Sequence, residues 1–137
     1  MRDLHNNIKA EVALNVSAIS TNTTTAGNII DMRGFGAAEF ILLSGALTDG
    51  AYTALVQEGD AANLSDAASV ADADLLGTEA AASLALTDDN AVKKIGYIGN
   101  KRYLKGVATP TGTHTVGTPI GIIALRGASA YRPVVTP

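Results

Sequence analysis

The segment 87–112, TDDNAVKKIGYIGNKRYLKGVATPTG, decides how this chain is read. It opens on Thr87-Asp88-Asp89-Asn90 and closes on Thr109-Pro110-Thr111-Gly112, with Gly99-Asn100-Lys101 between them. These are turn clusters for different reasons: Asp and Asn bond their own backbone two residues on, Gly reaches positive φ, and Pro cannot donate to an interior ladder. Between them stand 92–98 and 103–108, where Val, Ile, Leu and Tyr alternate with small or charged residues. That is the period of a half-buried strand. The Gly99-Asn100-Lys101-Arg102 connection reads as a hairpin, with Tyr97 and Tyr103 facing each other across it.

The same punctuation continues outward, with turn clusters at 25–28, 33–36, 48–50, 58–60 and 76–78. Val12, Leu14, Val16 and Ala18 alternate with Ala13, Asn15, Ser17 and Ile19. Tyr52, Ala54 and Val56 alternate with Thr53, Leu55 and Gln57. Glu39-Phe40-Ile41-Leu42-Leu43 reads as a strand buried on both faces, and 120–125 supplies the last run. Short strands at this spacing predict an all-β, single-domain antiparallel β-sandwich or barrel, jelly-roll-like. The exception is 60–86. Its alanines favour helix, but repeated Asp and the following Gly77 oppose one, so a loop with a short strand or one helical turn is expected. The domain is expected over 10–131, with an extended N-terminal arm, 1–9, and a C-terminal tail, 132–137.

Composition narrows the function. A chain of 137 residues is one domain. Hydrophobic residues make up 47%, but aromatics only 4%, and there is no Trp. A core poor in large side chains buries little apolar area, so self-association or attachment to a larger body is expected to add stability. Charged residues are 17%, below the roughly 25% of ordinary soluble domains; such a surface suits protein contact. The absence of Cys excludes disulfides, thiolate metal sites and a Cys nucleophile. A net charge of −3 argues against nucleic acid as the ligand. No apolar run approaches the ~20 residues of a membrane helix, and the opening MRDLHNNIKAEVAL has no signal-peptide core. Neither membrane insertion nor secretion is expected.

Charge is segregated along the chain. From Glu39 to Asp89 there are acids and no Lys or Arg; after Asp89 come Lys93, Lys94, Lys101, Arg102, Lys105, Arg126 and Arg132 with no acid. The two blocks either neutralise each other within one subunit or meet across subunits, where complementary faces fix orientation more than they add affinity. The position of Lys101, Arg102 and Lys105 at and beside the tip of a hairpin favours contact outside the subunit.

Catalytic patterns fail on inspection. Asp72-x-Asp74 lacks the later ligands of a calcium loop, since Leu76 and Ser83 stand at the fifth and twelfth positions. Gly34-x-Gly36 meets Glu39 where a dinucleotide fingerprint needs its third Gly. His114 reads as an exposed strand histidine, and Asp88-Asp89 sits at a turn with no apolar pocket. No catalytic residue, metal or cofactor is expected.

Three segments carry a resemblance: Met1-Arg2-Asp3-Leu4-His5-Asn6-Asn7-Ile8-Lys9, the run from Val70 to Gly77, and the run from Ile95 to Tyr103. They resemble a family of small proteins of tailed bacteriophages and prophages, encoded beside the major capsid protein. The resemblance implies a capsid cement (decoration) protein on the virion exterior, made in the host cytoplasm, β-rich and oligomeric. The major capsid protein is then the expected partner. A homotrimer is the expected oligomer, because shells offer three-fold positions. Expected contact residues are Arg2, Leu4, Ile8 and Lys9 on the arm, and Lys101, Arg102 and Lys105. A virion-surface carbohydrate-binding sandwich is the alternative.

Overall fold

The computed structural model describes residues 3–131, 133 and 134. Among the described residues nine strands follow one another: β1 (Lys9–Ile19), β2 (Thr25–Asp31), β3 (Phe35–Ser44), β4 (Ala51–Gly59), β5 (Ala68–Ser69), β6 (Leu75–Leu76), β7 (Val92–Tyr97), β8 (Tyr103–Thr111) and β9 (Thr118–Ser129). A 3-10 turn, Asp72–Asp74, and one helical turn, α1 (Glu79–Ala82), lie inside the alanine-rich segment, as expected.

The pairing gives the architecture. β1 pairs β9, β2 pairs β8, β3 pairs β7 and β4 pairs β5, all antiparallel. The chain is thus one long ribbon, running out along β1–β4 and back along β5–β9. Rolled up, it sends consecutive ribbon pairs to alternate sheets, ordered β1-β9-β3-β7-β6 and β2-β8-β4-β5. The pairs β3·β9 and β4·β8 knit each sheet across the roll. This is a jelly-roll sandwich; the closed barrel, the other expectation, is not formed.

The core lies between the sheets. Ala38, Phe40 and Leu42 of β3 and Ile120, Ile122 and Ala124 of β9 face Tyr52, Ala54 and Val56 of β4 and Leu104 and Ala108 of β8. Period-2 alternation holds on β3, β4 and β9 because each has one face inward. The four-stranded sheet blunts one of its edges. Beyond β5, the backbone N–H groups of Val56 and Ala54 donate to Glu79 Oε1 (3.0 Å) and Ser83 Oγ (2.9 Å), so α1 caps the open edge of β4. At the corner between β1 and β2, a Cβ on Gly27 would stand 2.1 Å from the Ala13 carbonyl oxygen; only glycine lets these backbones meet.

Four expectations are corrected. First, 92–98 and 103–108 are not a hairpin. β7 lies in one sheet and β8 in the other, and Tyr97 sits opposite Ala38 and Leu75 while Tyr103 sits opposite Asp31 and Gly59. Second, the alternation in β1 breaks. Register shifts at Val12/Leu14 and Leu14/Ser17 reverse its facing, burying Ala13 and Leu14 and exposing Val12 and Val16. Third, β3 is buried on one face only within the subunit: Leu43 is exposed and Ile41 half-buried. Fourth, the N-terminal arm is not extended over its described part. Asp3 accepts from the backbone and side chain of Asn6, Asn7 N–H donates to Leu4 O, and Val134 N–H donates to Asn6 O. Of the expected tail, Pro133 and Val134 are described, and Val134 is buried.

Candidate functional site

One end of the sandwich gathers most of the expected contact residues. A cleft of about 210 Å³ is lined by Met32, Arg33, Phe35, Gly99, Asn100, Lys101 and Arg102. A neighbouring cleft of about 230 Å³ shares Arg33 and Phe35 and adds Lys9, Tyr131 and Val134. Leu4 is exposed and Ile8 half-buried in the adjoining N-terminal stretch. Lys105 lies apart, on the outward face of β8 opposite Ile29 and Gln57. Arg2 lies outside the described residues. Arg33, which belongs to both clefts, was not among the expected residues; its place in the turn cluster 33–36 was the available signal.

Lys101 and Arg102 are engaged within their own subunit. Lys101 Nζ pairs with Asp60, and Arg102 donates through Nε and Nη2 to both oxygens of Asp31, each at 3.1 Å. Arg102 holds the Asp31 carboxyl below its ordinary range, chiefly by that hydrogen bond. Lys93 pairs with Asp88 at 3.3 Å. The basic block therefore meets acids of its own chain at these positions, while the side chains of Lys101 and Arg102 stay 43% and 47% exposed.

The connection between β7 and β8 is held from beneath. Tyr97 Oη donates to Glu58 Oε2 (2.7 Å) and accepts from the Lys101 backbone N–H (2.9 Å). Burial, then the hydrogen bond to Glu58, pushes the Tyr97 hydroxyl well above the usual phenol range. A Cβ on Gly99 would stand 2.5 Å from that hydroxyl. Next to this cluster Arg126, on the inward face of β9 with Ile122 and Ala124, is 5% exposed. Its guanidinium bonds Glu11 Oε1 and the Asp31 carbonyl, and lies 4.7 Å from the centre of the Phe35 ring.

The opposite end is built differently. Asp49 Oδ2 accepts from Thr115 N–H, Thr115 Oγ1 and Val116 N–H, which hold its carboxyl down at about 2. A carboxylate so pinned staples a loop; it does not take up protons near neutral pH. His114 is a half-buried loop residue, not the exposed strand histidine expected. Its Nδ1 lies 3.2 Å from Tyr52 Oη and its Nε2 3.0 Å from Thr111 O. A shallow cleft of about 430 Å³ beside it is lined by Thr48, Asp49, Leu86, Thr111 and Thr113 among others.

The third feature went unread in the sequence: the outward face of the five-stranded sheet is apolar. One row across it runs Val12, Ile123, Ile41 and Lys94; the next runs Ala10, Leu125, Glu39, Gly96 and Leu76; Leu43 lies beside Val92 in a third. The outward face of the other sheet is mixed: Thr53, Gln57, Lys105 and Thr109 stand among Leu55, Val107 and Ile29. The signal in the sequence was the run Glu39-Phe40-Ile41-Leu42-Leu43, read as buried on both faces, whose second face stays partly open in the subunit.

The chain matches no known protein family, and no curated protein is significantly similar to it.

Proposed function

We propose that the protein is a structural component of a tailed-phage virion, binding the outer surface of the capsid and cementing neighbouring major capsid subunits. One observation carries this reading. The three segments that resemble phage cement proteins are far apart in sequence and come together at one end of the sandwich. Leu75 and Leu76 pair with Tyr97 and Gly96, and Ile98 N–H donates to Asp74 O at 2.9 Å, which joins the middle segment to the third. Lys9 of the first segment and Lys101 and Arg102 of the third line clefts that share Arg33 and Phe35. That end, with Leu4 and Arg33 exposed, is the surface assigned to the capsid.

A cement protein acts by linkage. Binding the expanded shell and not its precursor stabilises the expanded state, and many weak contacts on one lattice sum to firm attachment. Packed DNA pushes the shell outward, so separating two capsid subunits then requires breaking the bridge as well. Carbohydrate adhesion has less to stand on: Phe40, Tyr52 and Tyr97 are buried, and Tyr131 is the large aromatic left exposed. The test is co-sedimentation of the purified chain with expanded shells of the major capsid protein encoded beside it. Saturable binding at a fixed stoichiometry is expected, and no binding at tens of micromolar refutes the reading. A glycan array with specific hits would favour the adhesion reading.

A further inference from the structure

We propose that the outward face of the five-stranded sheet is the contact between two copies of this chain, related by a two-fold axis lying in the plane of contact. Val12, Ile41, Leu43, Val92, Ile123 and Leu125 stand on it side by side, and Val12 and Val92 are 53% and 63% exposed. A contiguous apolar patch of this kind on a sparsely charged protein marks a contact surface. Gly96 and Gly121 are outward positions without side chains of their own, overlain by Leu76 and Glu39 Oε2 in one case and by Val16 in the other. Sheet faces pack on one another about 10 Å apart.

The charges on the face name the occupant. It carries one acid, Glu39, and one base, Lys94, on adjacent strands and two positions out of register: Glu39 sits opposite Gly96, and Lys94 opposite Ile41. Among the described residues neither makes an ion pair within the subunit. An in-plane two-fold axis that bisects the line between them lays each Glu39 over the partner's Lys94, twice. An isologous contact needs this self-complementarity. A three-fold ring, as expected from shell geometry, joins two different patches and leaves the match unused. Rows four, five and about three strands wide, at about 4.8 Å per strand and about 6.6 Å per row, give roughly 400 Å² per copy. The pair then buries about 800 Å², the size of a weak, reversible contact. The dimer completes the second buried face for which the sequence of β3 is written.

The inference stands on the face itself and not on the capsid reading, so it is tested without any capsid. Sedimentation equilibrium of the full chain from about 1 to 100 µM is expected to give a mass rising toward twice the 13.9 kDa of the subunit. Leu43→Lys is expected to weaken the dimer at least tenfold, with an unchanged circular dichroism spectrum because Leu43 points away from the core. Glu39→Lys is expected to weaken it as well, and Glu39→Lys with Lys94→Glu to restore it. A monomer or a trimer across the range would overturn the proposal. So would a dimer indifferent to Leu43→Lys, or a charge swap that fails to rescue. Dimers that ignore capsid shells would refute the cement reading and leave this one standing.

Discussion

Replacing Glu11 by Ala strips the buried guanidinium of Arg126 of its counter-charge. The Arg126 side chain is 6% exposed and that of Glu11 34%. Breaking a fully buried pair from one side costs about 3–5 kcal/mol, because the remaining charge is left without its partner. Two features lower the figure here. Glu11 is partly solvated, so water reaches the vacated place, and Arg126 keeps the Asp31 carbonyl and the Phe35 ring. The expected loss is about 2–3 kcal/mol. With a urea slope of about 1–3 kcal/mol per molar, the unfolding midpoint falls by about 0.7–3 M at unchanged slope. The companion variant, Glu11→Leu with Arg126→Met, removes both charges and is expected to return to within about 1 kcal/mol of the parent. A midpoint unmoved by Glu11→Ala, or a double variant as weak as the sum of the singles, would show that the pair does not hold β1 to β9 as argued.

Three further outcomes are expected. Urea midpoints measured from pH 10 upward should fall faster for the parent than for Tyr97→Phe: the Tyr97 pKa is raised in the folded state, so its contribution is whole below the unfolded pKa of about 10 and is lost above it. At the acid end the sign reverses for Asp49, whose carboxyl is held at about 2; stability it contributes above pH ~4 is lost as pH falls toward 2, and Asp49→Asn should flatten that limb. Lys101→Glu with Arg102→Glu should lower the thermal midpoint of the free subunit, since both bases pair with their own Asp60 and Asp31, and should leave the self-association measured by sedimentation unchanged.

The β character was legible because turn chemistry is local: many strand boundaries, such as the start of β4 at Thr48-Asp49-Gly50 and the end of β8 at Thr109-Pro110-Thr111-Gly112, lie at a cluster, although the cluster expected at 25–28 falls inside β2. What sequence could not carry was the sheet to which a strand belongs. Tyr97 and Tyr103 look like hairpin partners because a two-sided turn and a crossing between sheets use the same residues. The difference is made by Tyr97 folding back under Gly99 to reach Glu58, a residue far away in the chain. Facing was lost in β1 for a related reason, since a bulge changes parity without leaving a mark in the period. Arg126 was read as one more member of a surface block, because nothing near it in sequence announces Glu11 as a partner. The basic cluster of the candidate site was legible only as a list. The lysines and arginines were there to be counted, but their partners Asp31 and Asp60 are set by topology.

The most direct test of the cement reading is a cryo-electron microscopy reconstruction of particles carrying this chain. The account predicts ordered density for the two-sheet sandwich on the outside of the shell, repeated with the lattice, the end bearing Leu4 and Arg33 seated across a junction between major capsid subunits. A shell with a bare exterior, or sandwich density confined to the tail, would contradict it.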